Sequence, residues 1–398
     1  MERPTNILVE CPALIASVRI GVLEALKPLE QQGKCQVRFL ETMKIAKSDI
    51  AWCDIVVCVR GFEFVSLKVV ESAKKAGRYI IYFLDDDLLN IPQGISSTNY
   101  FADEDQKQSL TKIIKVSDVL WCVNPLIGQK YCIYGNGKWI ESRVPVELPK
   151  QLPSETNDNT TNVLYAGSVD HSGLIQEYIS PVVKMICEEF GESLSFTFIG
   201  ADPKLEKLNN VKHYGFFDDY DEYKRVLSNT RYHIGLAPIY TTEFYKHKYY
   251  NKFIEYTILG AIGIYTGYPP YTTIVEDNKN GFLCDNTFDG WYNGLKKAIL
   301  ERELRENCVN EARSLILSKF CSYDVAKKLA EDIPAIVGFR AEKLQAKDIL
   351  LQNIFLLFYR KRVELLWKQF GLMAVPIIIW KVLKKFVQII YKTRSLQV

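Results

Sequence analysis

Short apolar runs of strand length recur along this chain with amphipathic stretches between them, and the series stops once and starts again. Residues 7–11, 35–40, 54–59, 79–84 and 119–123 form the first series, with helical patterns such as 65–75 in between. Residues 162–166, 194–199, 233–238, 261–266 and 282–284 form the second, spaced by helical patterns at 179–190, 221–227, 249–259 and 291–300. Strand and helix patterns in repeated alternation predict parallel sheets with crossover helices. Between the two series, residues 145–161 turn polar and carry Pro149, Pro153, Asn157, Asp158 and Asn159, the composition of a linker. The expectation is an α/β protein of two Rossmann-like domains, 1–150 and 160–338, followed by a tail over 339–398. Open sheets of this kind bind ligands outside the carboxyl ends of their strands, so two facing halves hold a donor and an acceptor across one central cleft.

Nearly half of the residues are apolar and 24% are charged, which suits a folded enzyme and excludes a disordered chain. The cysteines stand singly in apolar runs, with no Cys-x-x-Cys pair and no disulfide-like framework. That usage belongs to a reducing compartment. Residues 1–6 lead straight into a strand with no signal-like segment, so the expected location is the cytoplasm. The net charge of +3 is unevenly placed: from Arg340 onward twelve Lys and Arg stand against three Asp and Glu, leaving about −6 on the rest. A mildly acidic body with a basic, apolar tail points to an anionic membrane surface and away from nucleic acid.

The densest chemistry lies between Phe244 and Trp291. Phe244, Lys248, Lys252, Glu255, Tyr256 and Gly260 are followed by a short strand, then by Pro270, Val275, Asp277, Asn280, Gly281 and Trp291. On a helix, Lys248, Lys252 and Glu255 recur at i, i+4 and i+7 and share one face, while Phe253, Ile254 and Ile258 are left to bury. Ammonium groups near a helix start neutralise a diphosphate, and a carboxylate accepts two hydrogen bonds from a ribose diol. This ordered pattern resembles the family 4 glycosyltransferases, also called glycosyl transferase group 1, which have the two-domain GT-B architecture. The resemblance implies that Glu255 binds the nucleotide ribose and that a nearby lysine binds phosphate, which makes Lys248, Lys252, Glu255 and Tyr256 the expected donor-binding residues. It further implies transfer of a hexose-type sugar from a nucleoside-diphosphate sugar, with retention of configuration. Members often carry a second acid eight positions before that glutamate, where this chain has His247. Three readings stay open there: His247 replaces the acid as a hydrogen-bond donor, the role has moved to Glu243, or His247 is an ordinary surface residue.

Strand ends supply the other expectations. The run at 162–166 leads into Gly167-Ser168, a turn where small residues let the backbone approach a donor pyrophosphate. No basic residue further along the second domain stands out to complete the phosphate clamp. The run at 79–84 ends in Asp85, Asp86 and Asp87, a cluster suited to a divalent metal, to a contact with the transferred sugar or acceptor, or to capping a helix. Because the enzymes it resembles hold the leaving group with protein cations and helix dipoles, no metal and no cofactor is expected. Asp85 and Asp86 are therefore assigned, with His247, to the catalytic side. Arg19 and Arg60 follow the first and third strands, where each would hold a phosphate of donor or acceptor.

Residues 349–394 are dense in Leu, Ile, Phe, Trp, Lys and Arg, yet the uncharged run 369–380 falls short of the ~20 residues that a spanning helix needs. Past Pro376, Trp380, Leu383, Phe386, Val387 and Ile390 repeat at helical spacing, opposite Lys381, Lys384, Lys385, Gln388 and Lys392. This reads as a basic amphipathic helix lying on the inner face of the cell membrane. There the acceptor is expected to be lipid-linked or a saccharide, in surface polysaccharide or glycolipid assembly. The alternative is a helix packed on the core or a homo-oligomer contact. Two rivals to the transferase are a sugar-nucleotide epimerase of the same architecture, which needs no such tail, and a non-catalytic partner in which His247 marks lost activity.

Overall fold

A computed structural model describes residues 3–92, 101, 103–154, 160–217, 219–371 and 375–376. The first sheet contains β1 (Thr5–Cys11), β2 (Cys35–Glu41), β3 (Ile55–Val59), β4 (Tyr79–Leu84), β5 (Val119–Cys122) and β6 (Trp139–Glu141). They run parallel in the order β2-β1-β3-β4-β5-β6. The second contains β7 (Thr161–Ala166), β8 (Leu194–Ile199), β9 (Val211–Tyr214), β10 (Ile234–Ala237), β11 (Ile262–Thr266) and β12 (Phe282–Cys284). These are also parallel, in the order β12-β11-β10-β7-β8-β9.

Every predicted run is a strand, because a parallel strand covered by helices on both faces must be apolar at consecutive positions. In β1, Ile7 and Val9 enter one core with Val57 and Val59 of β3, while Leu8 enters the core on the other face with Val56 and Cys58. That is the two-residue period of the pleat. The sequence pattern missed β6 and β9, which lie at sheet edges and are short and partly polar. All ten cysteines are free.

In each sheet the strand order reverses once, between β1 and β3 and between β7 and β10. Such switch points leave a crevice at the carboxyl ends of the flanking strands. The segments after β1, β3, β4, β7 and β10 are therefore the ones placed to hold a ligand.

The end of the chain departs from the expected boundary at 338–339. Helix Ser322–Asp332 already packs on helix Glu24–Gln31 of the first domain. Asp54, buried before β3, then accepts the backbone N–H of Ala341 at 2.9 Å as well as the Arg3 guanidinium at 2.7 Å. Ile349, Leu351 and Ile354 sit in the first-domain core. Helix Ile354–Phe370 lies against helix Phe64–Lys75. Residues 340–354 are thus part of the first domain, drawn there by apolar burial, and do not begin a separate tail. The helix leaves Leu356 65% and Trp367 48% exposed. No helix among the described residues is long and apolar enough to cross a membrane. The amphipathic segment with Trp380, Lys381, Lys384 and Lys385, and linker positions Asn157 to Asn159, lie outside the described residues.

Candidate functional site

Arg60 follows β3 directly, with its backbone in the left-handed region at φ 51°, a conformation that costs a non-glycine residue about 1–3 kcal/mol. Its N–H is held by the Phe83 carbonyl of β4 at 2.9 Å. The turn sends the guanidinium to the acids that end β4: Nε lies 3.4 Å from Asp85 Oδ1 and Nη2 lies 3.7 Å from Asp86 Oδ2. Burial pulls the Arg60 pKa down, but the two aspartates outweigh it and hold it above its ordinary value. Asp85 Oδ1 is buried and accepts no hydrogen bond. The third acid has a different task. Asp87 is fully buried and accepts from the Tyr131 hydroxyl at 2.6 Å, Lys130 at 2.6 Å and Asn90 at 2.9 Å, which makes it the structural member of the run.

On the second domain the helix predicted over 249–259 starts later, as Asn251–Leu259, and Lys248 lies in the turn after the short helix Glu243–Lys246. The break has a packing cause. Tyr249 and Tyr250 are both buried with ring centroids 4.1 Å apart, and the Tyr249 hydroxyl accepts the Val144 N–H at 3.1 Å. Lys248 consequently leaves the face of Lys252 and Glu255 and reaches over the cleft to Asp86, 3.2 Å away, with its ammonium 4.4 Å from the centre of the Phe244 ring. Lys252 and Glu255 pair with each other, and Tyr223 of helix Tyr220–Ser228 donates to the other Glu255 oxygen.

Three predicted residues stand elsewhere than expected. Tyr256 is fully buried and its hydroxyl donates to the Leu236 carbonyl at 2.5 Å, so it supports the core and does not line the donor site. Arg19 is exposed on the helical segment Ser17–Leu23 and lines neither wall of the cleft. His247 is no surface residue: it is 3% exposed, its Nδ1–H donates to the Glu243 carbonyl at 2.7 Å, and the same atom is 3.7 Å from Asp87. It joins the two domains behind Lys248, as does Asn124, whose amide donates to the Lys248 carbonyl at 2.8 Å.

Gly167 and Ser168 end β7 as expected, but the glycine has a packing reason. A Cβ there would collide with the Tyr165 hydroxyl, and one on Gly200, at φ 81°, would collide with the Gly167 carbonyl. Ser168 is exposed and its Oγ accepts the Asp170 N–H at 3.3 Å. The later motif residues are structural. Asp277 accepts the Leu283 N–H, Asn280 caps the turn at Glu276, and Trp291 is buried with its ring N–H on Asn286.

Arg60, Asp85, Asp86 and Lys248 line a cavity of about 280 Å³. Lys252, Glu255 and Tyr223 line a second of about 750 Å³. The two share Ala16, Ile20, Val144 and Asn251 and form one cleft between the domains. Among the described residues no group of three or more His, Cys, Asp or Glu is arranged to hold a metal ion. Sequence reasoning missed Tyr223 and Asn124, which carry no motif, and His171. His171 stands three residues past Ser168, its Nδ1 2.9 Å from the Tyr165 hydroxyl.

No protein-family model matches this sequence, and no curated protein does. Solved structures match the fold. Anabaena Alr3699/HepE, in complex with UDP and glucose, is 12% identical, with 83% of this chain covering 100% of that one at a TM-score of 0.59. The alpha-glucosyltransferase AGT in complex with UDP is 11% identical over 83% and 99%, with a TM-score of 0.58. A glycosyltransferase from Rickettsia africae is 14% identical over 84% and 99%, with a TM-score of 0.56. The chain has the GT-B fold, its two doubly wound halves facing one cleft.

Proposed function

We propose that this protein transfers a hexose-type sugar from a nucleoside-diphosphate sugar to an acceptor, in the manner of the family 4 enzymes and with retention of configuration. The observation that carries the reading is the convergence on one cleft of Arg60, Asp85 and Asp86 from one switch point with Lys248, Lys252 and Glu255 from the other. The solved proteins of this fold that hold UDP, or UDP with glucose, support it.

In this reading the diphosphate lies at the start of helix Asn251–Leu259, which no side chain caps and where the helix dipole meets Lys248 and Lys252. The existing Lys252–Glu255 pair does not prevent this. Ion pairs at that helical spacing contribute about 0.2–0.5 kcal/mol, whereas hydrogen bonds to a charged phosphate contribute about 1.5–3 kcal/mol, so the ligand wins both groups. Glu255 then accepts from the ribose hydroxyls. Lys248 passes from Asp86 to the leaving phosphate, which frees Asp86, with Asp85 and Arg60, to face the transferred sugar and the acceptor hydroxyl. Stabilisation of the departing diphosphate by fixed cations is the main catalytic term. No metal enters this reading, because Arg60 stays beside both carboxylates while Lys248 and Lys252 serve the diphosphate.

The acceptor is lipid-linked or a saccharide, met at the cytoplasmic face of a membrane that the basic C-terminal segment binds, in polysaccharide or glycolipid assembly. The test is calorimetric titration of the purified chain with UDP-glucose and other nucleotide sugars, followed by measurement of nucleoside diphosphate released. Saturable binding with release is expected; failure to bind any nucleotide sugar sinks the reading.

A further inference from the structure

The loop after β7 ends within the electrostatic reach of the two donor lysines, and the side chain it brings there is neither acidic nor strongly basic. His171 is half-buried, its ring 6.2 Å from Tyr245, and Tyr245 is in turn 5.8 Å from the Lys248 ammonium. Its other neighbour is Tyr165, a buried tyrosine whose hydroxyl lies beneath Gly167. A buried hydroxyl needs an acceptor for its proton, and the one it has is His171 Nδ1 at 2.9 Å. With Nδ1 accepting, the neutral ring carries its proton on Nε2. The tautomer is thus set from below, and the Nε2–H is the donor that remains for a ligand.

We propose that His171 is the third anion-binding group of the donor site: a neutral imidazole, oriented by Tyr165, that donates its Nε2–H to the diphosphate held by Lys248 and Lys252. The assignment rests on the nucleotide-sugar reading and supplies the clamp residue absent from the sequence motif. His171 touches the ligand, whereas Tyr165 acts through it as a positioning residue.

The surrounding charges explain why a histidine serves here. Burial, and after it the Lys248 and Lys252 charges, push the His171 pKa down to about 4, against an opposing pull from Asp170; Tyr165 and Tyr245, the other titratable neighbours, stay neutral. The free site therefore holds a neutral donor within the field of two ammonium groups and avoids a third repelling cation. A bound diphosphate reverses the local field and raises the His171 pKa. Between the free and bound values the complex holds more protons than the free protein, so donor binding strengthens as pH falls through that window.

The probe is UDP-glucose or whichever nucleotide sugar binds the wild-type chain, because a diphosphate diester has no proton of its own to lose near neutrality. Affinity is measured by calorimetry from pH 5 to pH 8 in buffers of different ionisation enthalpy. The wild type is expected to take up a fraction of a proton on binding at the acidic end. His171→Gln, whose amide reaches the Nε2 position, should stay within about threefold of wild type but lose the pH dependence, while His171→Asn, which satisfies Tyr165 but falls short of the ligand, should bind about tenfold more weakly. A purely structural role predicts the reverse order. Tyr165→Phe should weaken binding about threefold, and uridine affinity should be untouched in all three variants. Wild-type binding with unchanged affinity and pH profile in both His171 variants overturns this assignment and leaves the donor reading intact. A wild type that binds no nucleotide sugar overturns both.

Discussion

On the first domain the ends of β3 and β4 gather Asp85 and Asp86, and on the second the segments after β7 and β10 gather Lys248, Lys252 and His171. The two rims share an architecture but differ in how their charges are held. Asp85 and Asp86 are matched by Arg60 of their own domain, fixed by a left-handed backbone and a hydrogen bond to β4. The cations opposite have only exchangeable partners: Lys252 has a glutamate three residues along its own helix, and Lys248 has an aspartate of the other domain. One rim is built to keep its geometry, and the other is held by partners that the proposed donor would exchange. Strain stored at Arg60 fits the first role, since a single well-placed cation there prevents two adjacent carboxylates from repelling each other.

The largest loss is expected at Glu255, which holds one exchangeable cation and is predicted to take the ribose. Glu255→Ala should lower nucleotide-sugar affinity about 100-fold, the loss of two charge-assisted hydrogen bonds. Its thermal midpoint should stay within about 3 °C of wild type, because Glu255 is not buried in the core. Calorimetry and a melting curve on one sample decide this; an unfolded variant or unchanged affinity would show a structural role. Lys252→Ala is the next largest effect. It should weaken diphosphate-bearing ligands about tenfold and leave uridine unchanged, and equal losses for both would remove Lys252 from the phosphate site.

Asp86 acts in the opposite direction. Its pair with Lys248 holds the empty cleft together across domains, and part-exposed pairs of this kind contribute about 0–1 kcal/mol. Asp86→Asn releases Lys248 in advance and should tighten donor binding about two- to fivefold, read by the same titration. Weaker binding would mean that Asp86 orients Lys248 for the ligand and does not compete with it.

How much of this was legible depends on the range of the interaction. The sheets were, because a covered parallel strand writes its burial into consecutive residues such as Tyr79 to Leu84, whereas the edge strands β6 and β9 are too short and polar to do so. Glu255 and Lys252 were legible through helical spacing. The spacing puts Lys248 on the same face, but it leaves that face where the neighbouring Tyr249 and Tyr250 are buried and the helix has not yet begun. Tyr256 illustrates the same limit: a motif position next to a ligand-binding glutamate points to the other side of its helix. The convergence of Arg60 with Asp85 and Asp86 needed the β3–β4 pairing. The placement of residues 340–354 rests on burial in the first-domain core and on a contact with Asp54, nearly three hundred positions away, for which no local pattern exists.

The smallest expected effect is that of a chelator, and it tests the first rim alone. A divalent ion bound by Asp85 and Asp86 would have to sit beside Arg60, 3.4 and 3.7 Å from those carboxylates, and near Lys248 at 3.2 Å. Like unit charges about 4 Å apart repel by about 4 kcal/mol at the effective dielectric of a protein surface, and each cation faces a doubly charged ion. The protein cations would need to swing away before the metal gained anything, and Arg60 is held by its backbone. Turnover of the wild-type enzyme with its nucleotide sugar should therefore be the same with excess EDTA as with Mg²⁺ or Mn²⁺. Loss of turnover in EDTA, restored by either ion, would mean that Arg60 does move, and that the first rim exchanges its partners as readily as the second.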